Sequence, residues 1–268
     1  SVKPVKILIC AMGGEGGGVL MNWIVKAAWA KGYPVQATSV PGVAQRTGAT
    51  TYYIEMLPQN LAPVSPKPVF ALIPTSGEVD LLIATEAAEA VRAAGNGFIS
   101  PDRTHLIAST SRTYLMPEKM AMTDGRIDNE KLRIILDKSA RKSVLFDANQ
   151  AAKEAGAIVN AVMLGAIAAT DIIGIALEDF IKAIKEEGKA VDSNLAGLEM
   201  GYAIANGVDK LSEHDASINS MPKRFSNKDF PELVQPVIQH AINRLMDYQN
   251  KDYVETYLSR LKSFKDSN

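Results

Sequence analysis

An α/β fold, built on a doubly wound and mainly parallel sheet and followed by a helical C-terminal extension, is what this sequence predicts. Three observations carry the prediction. The first is the opening, Lys6-Ile-Leu-Ile-Cys-Ala-Met-Gly-Gly-Glu-Gly-Gly-Gly-Val-Leu20, where a short apolar run leads into glycines and then into a helical stripe. The second is the alternation of short apolar runs with helical periodicity as far as Asp147, the mark of strands joined by crossover helices. The third is that no convincing strand appears beyond Ala148. These place a Rossmann-like domain over residues 1–175 and a helical extension, packed on it, over 176–268.

Ile7 to Ala11 is apolar throughout, as a strand buried on both faces requires. Leu20, Trp23, Ile24, Ala27 and Ala28 then recur at helical spacing, with Gly32 placed to end the helix. Val35 to Val40 reads as a second strand, Pro41 to Gly48 as a loop, and Ala49 to Met56 as a β-branched and aromatic strand. Four prolines between 58 and 68 make a surface connection. Val69 to Ile73 and Val79 to Ala84 are apolar runs, the second a strand leading into a helix over Glu86 to Ala94. Leu106 to Ser109 is a further strand, and Met116 to Arg126 a small β excursion with a turn at Asp124-Gly125.

Asp128 or Asn129 caps a helix whose Leu132, Ile135, Leu136 and Ala140 share a face. Ser143 to Asp147 is another buried strand. After it come helical stripes at Leu177–Ile184, Val191–Tyr202, Val234–Leu245 and Tyr253–Leu261, with Ser212 to Asp229 a polar exposed loop. Ala155 to Leu177 is long and apolar enough to raise a membrane span. Asn160, Asp171 and the glycines at 156, 165 and 174 favour core helices instead.

The glycine loop does not name a ligand. A dinucleotide fingerprint needs a third glycine, but that position falls on Val19 or Met21. A P-loop needs a lysine and a hydroxyl where Val19 and Leu20 stand. No acidic residue closes the second strand, and Glu15 places a negative charge in the loop. Two readings stay open: a loop that a ligand or a partner's backbone approaches closely, or a tight turn that needs glycine torsions. Arg46, on the loop after the second strand, can offset Glu15, hold a phosphate or carboxylate, or simply be solvated.

Composition narrows the classes. The 268 residues are 47% hydrophobic and 22% charged with a net charge of −1. That balance gives no electrostatic footprint for nucleic acid or an anionic membrane. The single cysteine, Cys10, rules out internal disulfides and a cysteine-ligated cluster and suits a reducing, cytoplasmic setting. The N-terminal apolar run is too short for a signal peptide. His105, His214 and His240 lack metal-ligand spacing, and no G-x-S-x-G elbow is present. Asp80 and Asp147, at strand ends, read as stabilising helix N-termini. Tyr52 and Tyr53 read as strand filling.

The loop Met12 to Gly18, taken with Arg46-Thr-Gly48, resembles the gamma-subunit domain of 2-oxoacid:ferredoxin oxidoreductases. More narrowly, the chain is similar to the beta subunit of indolepyruvate ferredoxin oxidoreductases. Asp80-Leu-Leu-Ile-Ala-Thr-Glu86, Phe146-Asp147, Asn160-Ala-Val-Met-Leu-Gly165 and Lys189-Ala-Val-Asp-Ser-Asn194 support the resemblance in order, from residue 6 to about 201. Two positions depart from the commoner loop, which has glutamine where Glu15 stands and glycine where Thr47 stands. Arg244 to Gln249 with Tyr253, Tyr257 and Leu258 resembles a C-terminal extension of longer members, so the chain can be one piece of a longer protein.

The resemblance implies a subunit that supports oxidative decarboxylation of a 2-oxoacid, of indolepyruvate or aryl-pyruvate type, to an acyl-CoA. Electrons would pass to ferredoxin indirectly, through a catalytic subunit carrying thiamine diphosphate and Fe–S clusters. The sequence agrees, since Asp124-Gly125 is followed by Arg126 rather than by a thiamine signature. No catalytic residue and no metal are then expected in this chain. Gly13, Gly14, Gly16, Gly17, Gly18 and Arg46 form its candidate CoA-binding or partner-contact loop, and apolar helix surface is expected to dock the thiamine subunit. The alternatives are a free-standing nucleotide- or CoA-binding protein, and a structural or regulatory protein without a ligand.

Overall fold

Residues 3–12, 16–41, 49–59, 68–111, 129–207, 230–231, 233–248 and 251–262 are described by the structure, a computed structural model. The expected loop at Ser212–Asp229 and the expected β excursion at Met116–Arg126 lie outside the described residues. The chain divides into two units, Ser1–Leu211 and Ser212–Asn268.

Six strands and seven helices make up the first unit among the described residues. In chain order they are β1 (Val5–Met12), α1 (Gly17–Ala30), β2 (Val35–Pro41), β3 (Ala49–Met56), β4 (Leu81–Ala84), α2 (Ala87–Gly95) and β5 (His105–Ser109). There follow α3 (Asn129–Ser139), β6 (Lys142–Phe146), α4 (Ala148–Ala155), α5 (Val159–Ala168), α6 (Leu177–Glu187) and α7 (Val191–Ala205). The last two helices, which the sequence assigns to an extension from residue 176, therefore fall within the first unit.

The strands lie in the order β2-β3-β1-β4-β5-β6. From β1 to β6 every pairing is parallel, with Ile9 opposite Ile83, Ile83 opposite Ile107 and Ile107 opposite Val144. On the other side of β1 the sheet reverses. β3 is antiparallel to β1, with Ile9 opposite Tyr52, and β2 is antiparallel to β3. Two reversals leave β2 running the same way as β1 with β3 wedged between them. Local alternation cannot reveal this, because it marks a strand without saying which edge accepts it.

Side-chain alternation divides the core into two layers. Ile7, Ile9, Ile54, Leu81, Ile83 and Ile107 face a layer that includes α1, α5 and α6. Leu8, Cys10, Tyr53, Leu82 and Leu106 face α2 and α3. Helices on both faces make the fold doubly wound, as the sequence predicts. The α1 stripe is buried as expected at Leu20, Trp23, Ile24, Ala27 and Ala28, and full burial of side chains such as Leu20 and Ile24 contributes roughly 2 kcal/mol each. Leu132 and Leu136 on α3, and Ala140 just after it, are buried but Ile135 is exposed, so the apolar face is narrower than its spacing suggests.

Val69 to Ile73 is not a strand. Its backbone is held by Gln36 Nε2 and Thr38 Oγ1, which donate to the carbonyls of Ala71 and Leu72, and by the Ala71 N–H, which donates to buried Glu55. With the backbone so held, Val69, Leu72 and Ile73 point into solvent.

The apolar stretch from Ala155 is accounted for by α5, every residue of which from Asn160 to Ala168 is buried in the first unit. No single helix among the described residues is long and apolar enough to cross a membrane, and α4 and α5, which pass a length test only as a pair, meet at 105°. Gly165, Gly197 and Gly201 let α5 and α7 approach backbone to backbone. A Cβ on Gly165 would stand 2.7 Å from Tyr202 N, and one on Gly201 would collide with the Val162 carbonyl.

The second unit holds α8 (Gln235–Tyr248) and α9 (Lys251–Lys262). Phe230, Ile238, Ile242, Val254 and Leu258 form its own small core. The expected stripe is kept at Ile238 and Ile242, whereas Val234 and Tyr253 are exposed.

Candidate functional site

Parallel pairing puts the C-terminal ends of β1, β4, β5 and β6 along one edge of the sheet, where ligands meet open α/β sheets. The reversed strand adds to that edge. Met12 lies opposite Ala49, and Pro41 opposite Thr50, so the described residues flanking the loop of Arg46 stand beside the end of β1. Arg46 itself, with Gly13 and Gly14, lies outside the described residues. Gly16, Gly17 and Gly18 are described, and they form the start of α1.

Gly16 has φ 78 and serves as the N-cap of α1 without a side-chain cap, a conformation that costs glycine little and other residues more. Its carbonyl accepts the N–H of Val19 at 2.7 Å and of Leu20 at 3.4 Å. The N–H groups of Gly17 and Gly18, at the first two positions of the helix, have no intrahelical acceptor. They carry the positive end of a helix of 14 residues. Gly17 is required by packing as well. A Cβ on Gly17 would stand 2.5 Å from Tyr52 Cε2 and 2.9 Å from Ala11 Cβ. Tyr52 therefore does more than fill its strand: its ring lies where a side chain of α1 would be.

The rest of the edge is polar and tied together. Buried Ser109, at the end of β5, accepts the N–H of Ala148 at 3.1 Å and pairs with Ser111 Oγ at 2.6 Å. Ser111 O accepts the N–H of Ala87, and Asn149 Nδ2 donates to Ser111 Oγ. The starts of α2 and α4 are thereby anchored to one turn. Asp147 caps α4, accepting the Gln150 N–H at 2.9 Å, as the sequence predicts. Asp80 does not cap a helix. It precedes β4, accepts Lys6 N–H at 2.9 Å and takes Arg103 Nε at 2.7 Å. Thr85, Glu86 and Glu89 are buried at the same edge, and Asn160 reaches it from α5, its Nδ2 2.8 Å from the Cβ position of Gly16. Sequence reasoning passed over Ser109 and Ser111, and it noted Asn160 only as a polar residue of the apolar stretch and within the resemblance, not at this edge. A Ser-x-Ser pair just after a buried strand was the available signal for the first two.

Electrostatics set other groups aside. Burial, reinforced by Glu89, pushes the Cys10 thiol up to about 12 against the opposing pull of Arg92, so it is a neutral, inert core thiol. His105 sits at the opposite, N-terminal end of the strands. Burial, then Lys142 and Arg141, hold its pKa below the usual range. His240 is exposed on α8 and His214 lies outside the described residues. Among the described residues no group of three His, Cys, Asp or Glu side chains is placed to hold a metal ion.

A doubly wound sheet whose strand ends open onto a side-chain-free helix start defines a domain that presents backbone donors at one edge. The chain belongs to the pyruvate ferredoxin/flavodoxin oxidoreductase family, whose profile matches residues 6–204. The second unit lies outside that stretch. An indolepyruvate oxidoreductase subunit, IorB, from Thermococcus kodakarensis is 26% identical over 211 residues, covering 76% of this chain and 97% of that subunit. The IorB of Methanothermobacter thermautotrophicus is 28% identical over 204 residues, covering 74% and 96%.

Among solved structures, the 2-oxoglutarate:ferredoxin oxidoreductase of Magnetococcus marinus, with 2-oxoglutarate, coenzyme A and succinyl-CoA bound, superposes with a TM-score of 0.55. It is 18% identical, over 78% of this chain and 32% of that one. The pyruvate oxidoreductase subunit PORC of Thermotoga maritima gives 0.50 at 20% identity, over 75% and 96%. At these identities the likeness is one of fold.

Proposed function

We propose that this chain is a subunit of a 2-oxoacid:ferredoxin oxidoreductase of the indolepyruvate type, not catalytic alone. The observation that carries the reading is the near-complete coverage of the IorB subunits, 97% in Thermococcus kodakarensis, by this chain. Thiamine diphosphate and Fe–S clusters belong, in this reading, to a partner. A single cysteine cannot ligate a cluster that takes four thiolates, and no thiamine signature is present. Ferredoxin is reached through that partner, and the setting is cytoplasmic.

Coenzyme A is a different matter, because the residues present fit it. Gly16, Gly17 and Gly18 start the helix without side chains of their own and with N–H donors suited to phosphate oxygens. Gly13, Gly14 and Arg46, outside the described residues, belong to the same proposed contact. When bound, CoA would supply a thiol to take the acyl group left by oxidative decarboxylation, the two electrons leaving to ferredoxin through the partner. This chain's part is to hold and orient the phosphate end by backbone N–H groups. Exposed apolar side chains such as Val69, Leu72, Ile73, Ile134 and Ile135 are surface that a partner subunit would cover.

The test is purification of the chain from its own host without oxygen, followed by assay for partner subunits, iron, thiamine and 2-oxoacid-dependent dye reduction. A large partner carrying thiamine and iron, active with indolepyruvate or phenylpyruvate, is the expected result. A clean monomer or homodimer without iron, thiamine or activity sinks the proposal and favours a free-standing nucleotide- or CoA-binding protein.

A further inference from the structure

The first two residues of α1, Gly17 and Gly18, have no side chains with which to anchor themselves, so their position is set by Leu20 behind them and by contacts from outside. The half-buried ring of Tyr52 does this on one flank. It fills the Cβ space of Gly17 and lies in van der Waals contact with that of Gly18, at 3.6 Å from Cε1 and 3.8 Å from the hydroxyl. Tyr52 stands on β3 opposite Ile9 of β1, so the brace is built on the central strands of the sheet. Asn160 of α5, itself buried, stands against the N-cap, its Nδ2 2.8 Å from the Cβ position of Gly16.

A run of glycines left to its own torsions samples more conformations than any other sequence, and a group displaced by about 1 Å can lose on the order of a hundredfold in effect. We infer that Tyr52 is a positioning residue, whose ring locks the first turn of α1 so that the Gly17 and Gly18 N–H groups keep a fixed bearing on the ligand. This rests on the reading that the loop receives CoA phosphate. Tyr52 acts by packing, since its hydroxyl makes no hydrogen bond among the described residues. The reversed strand β3 thus has a use: it carries an aromatic side chain to the start of α1.

The test uses the assembled complex with Tyr52→Phe, Tyr52→Leu and Tyr52→Ala, and with Gly18→Asp as a direct probe of the loop. A Cβ at Gly18 meets only ordinary contacts, so Gly18→Asp is expected to fold, which thermal unfolding checks, and sets a carboxylate against phosphate. Amide hydrogen exchange at Val19 and Leu20 reports the first turn without any ligand. Tyr52→Leu and Tyr52→Ala are expected to speed that exchange and to raise KM for CoA by about tenfold, with kcat and KM for the 2-oxoacid unchanged. Tyr52→Phe is expected to keep both at the wild-type level. Gly18→Asp raising KM for CoA while Tyr52→Leu changes neither exchange nor KM overturns the inference and leaves the loop reading standing. No change in KM for CoA from any variant, Gly18→Asp included, overturns both. An equal fall in kcat with every substrate, not rescued by Tyr52→Phe, shows a general packing role and overturns the inference alone.

Discussion

The glycines that open α1 and those that line the meeting of α5 with α7 are the same residue under different constraints. At α1, Gly16 needs a left-handed torsion, and Gly17 yields its side-chain space to the ring of Tyr52. At α5 and α7 the torsions are ordinary helix, and what fills the missing side-chain space is backbone, the Leu198 and Val162 carbonyls. A ring can tilt, whereas a helix carbonyl cannot move without its helix. The first cluster is conspicuous in the sequence and the second is scattered through helices that glycine should weaken. Conspicuous glycine is therefore a poor guide to where glycine matters most for stability.

The largest effect expected is at the second cluster. Gly201→Ala or Gly165→Ala drives a methyl into backbone, which costs about 3 kcal/mol or more, and thermal unfolding should show a fall of about 6–12 °C. A fall below about 2 °C for either would mean that the two helices separate easily. Next comes Gly17→Ala, which meets the ring of Tyr52 and Ala11 Cβ and should cost about 2 kcal/mol by denaturant unfolding. Combined with Tyr52→Leu it should recover about 1 kcal/mol of that loss. Strict additivity in that double-mutant cycle would remove the ring as the obstacle.

Gly207→Ala separates torsion from space. Gly207 has φ 69 and nothing within 4 Å of its Cβ position, so only the left-handed penalty remains, about 1 kcal/mol. The smallest effect runs the other way. Ala190, at the N-cap of α7, carries φ 45 without being glycine, and Ala190→Gly should stabilise by about 0.5 kcal/mol as relief of strain outweighs added chain entropy. A loss on that substitution would show that the methyl packs usefully.

Much of the first unit is legible without a structure. The strand at Ala49–Met56 is read to the residue, and the buried stripe of α1 is read completely, because alternation and helical spacing are local signals. Asp147 is recognised as a cap for the same reason. Asp80 is misread because its partners, Lys6 and Arg103, come from distant turns of the chain. The resemblance to oxidoreductase gamma domains rests on the order of several weak motifs, and that order survives in the family match over residues 6–204.

What the sequence determined by itself is therefore the class of fold, the glycine-rich start of α1 and the family. Each is written in residues close together or in a fixed order along the chain. What only the tertiary structure decided is that β3 enters antiparallel between β1 and β2, that Tyr52 braces the start of α1, and that α6 and α7 belong with the sheet. Those depend on which sheet edge is free, which ring meets which backbone, and how closely two helices can approach. Such contacts join residues far apart in sequence, and their energy is set by shape at the meeting point rather than by any local pattern.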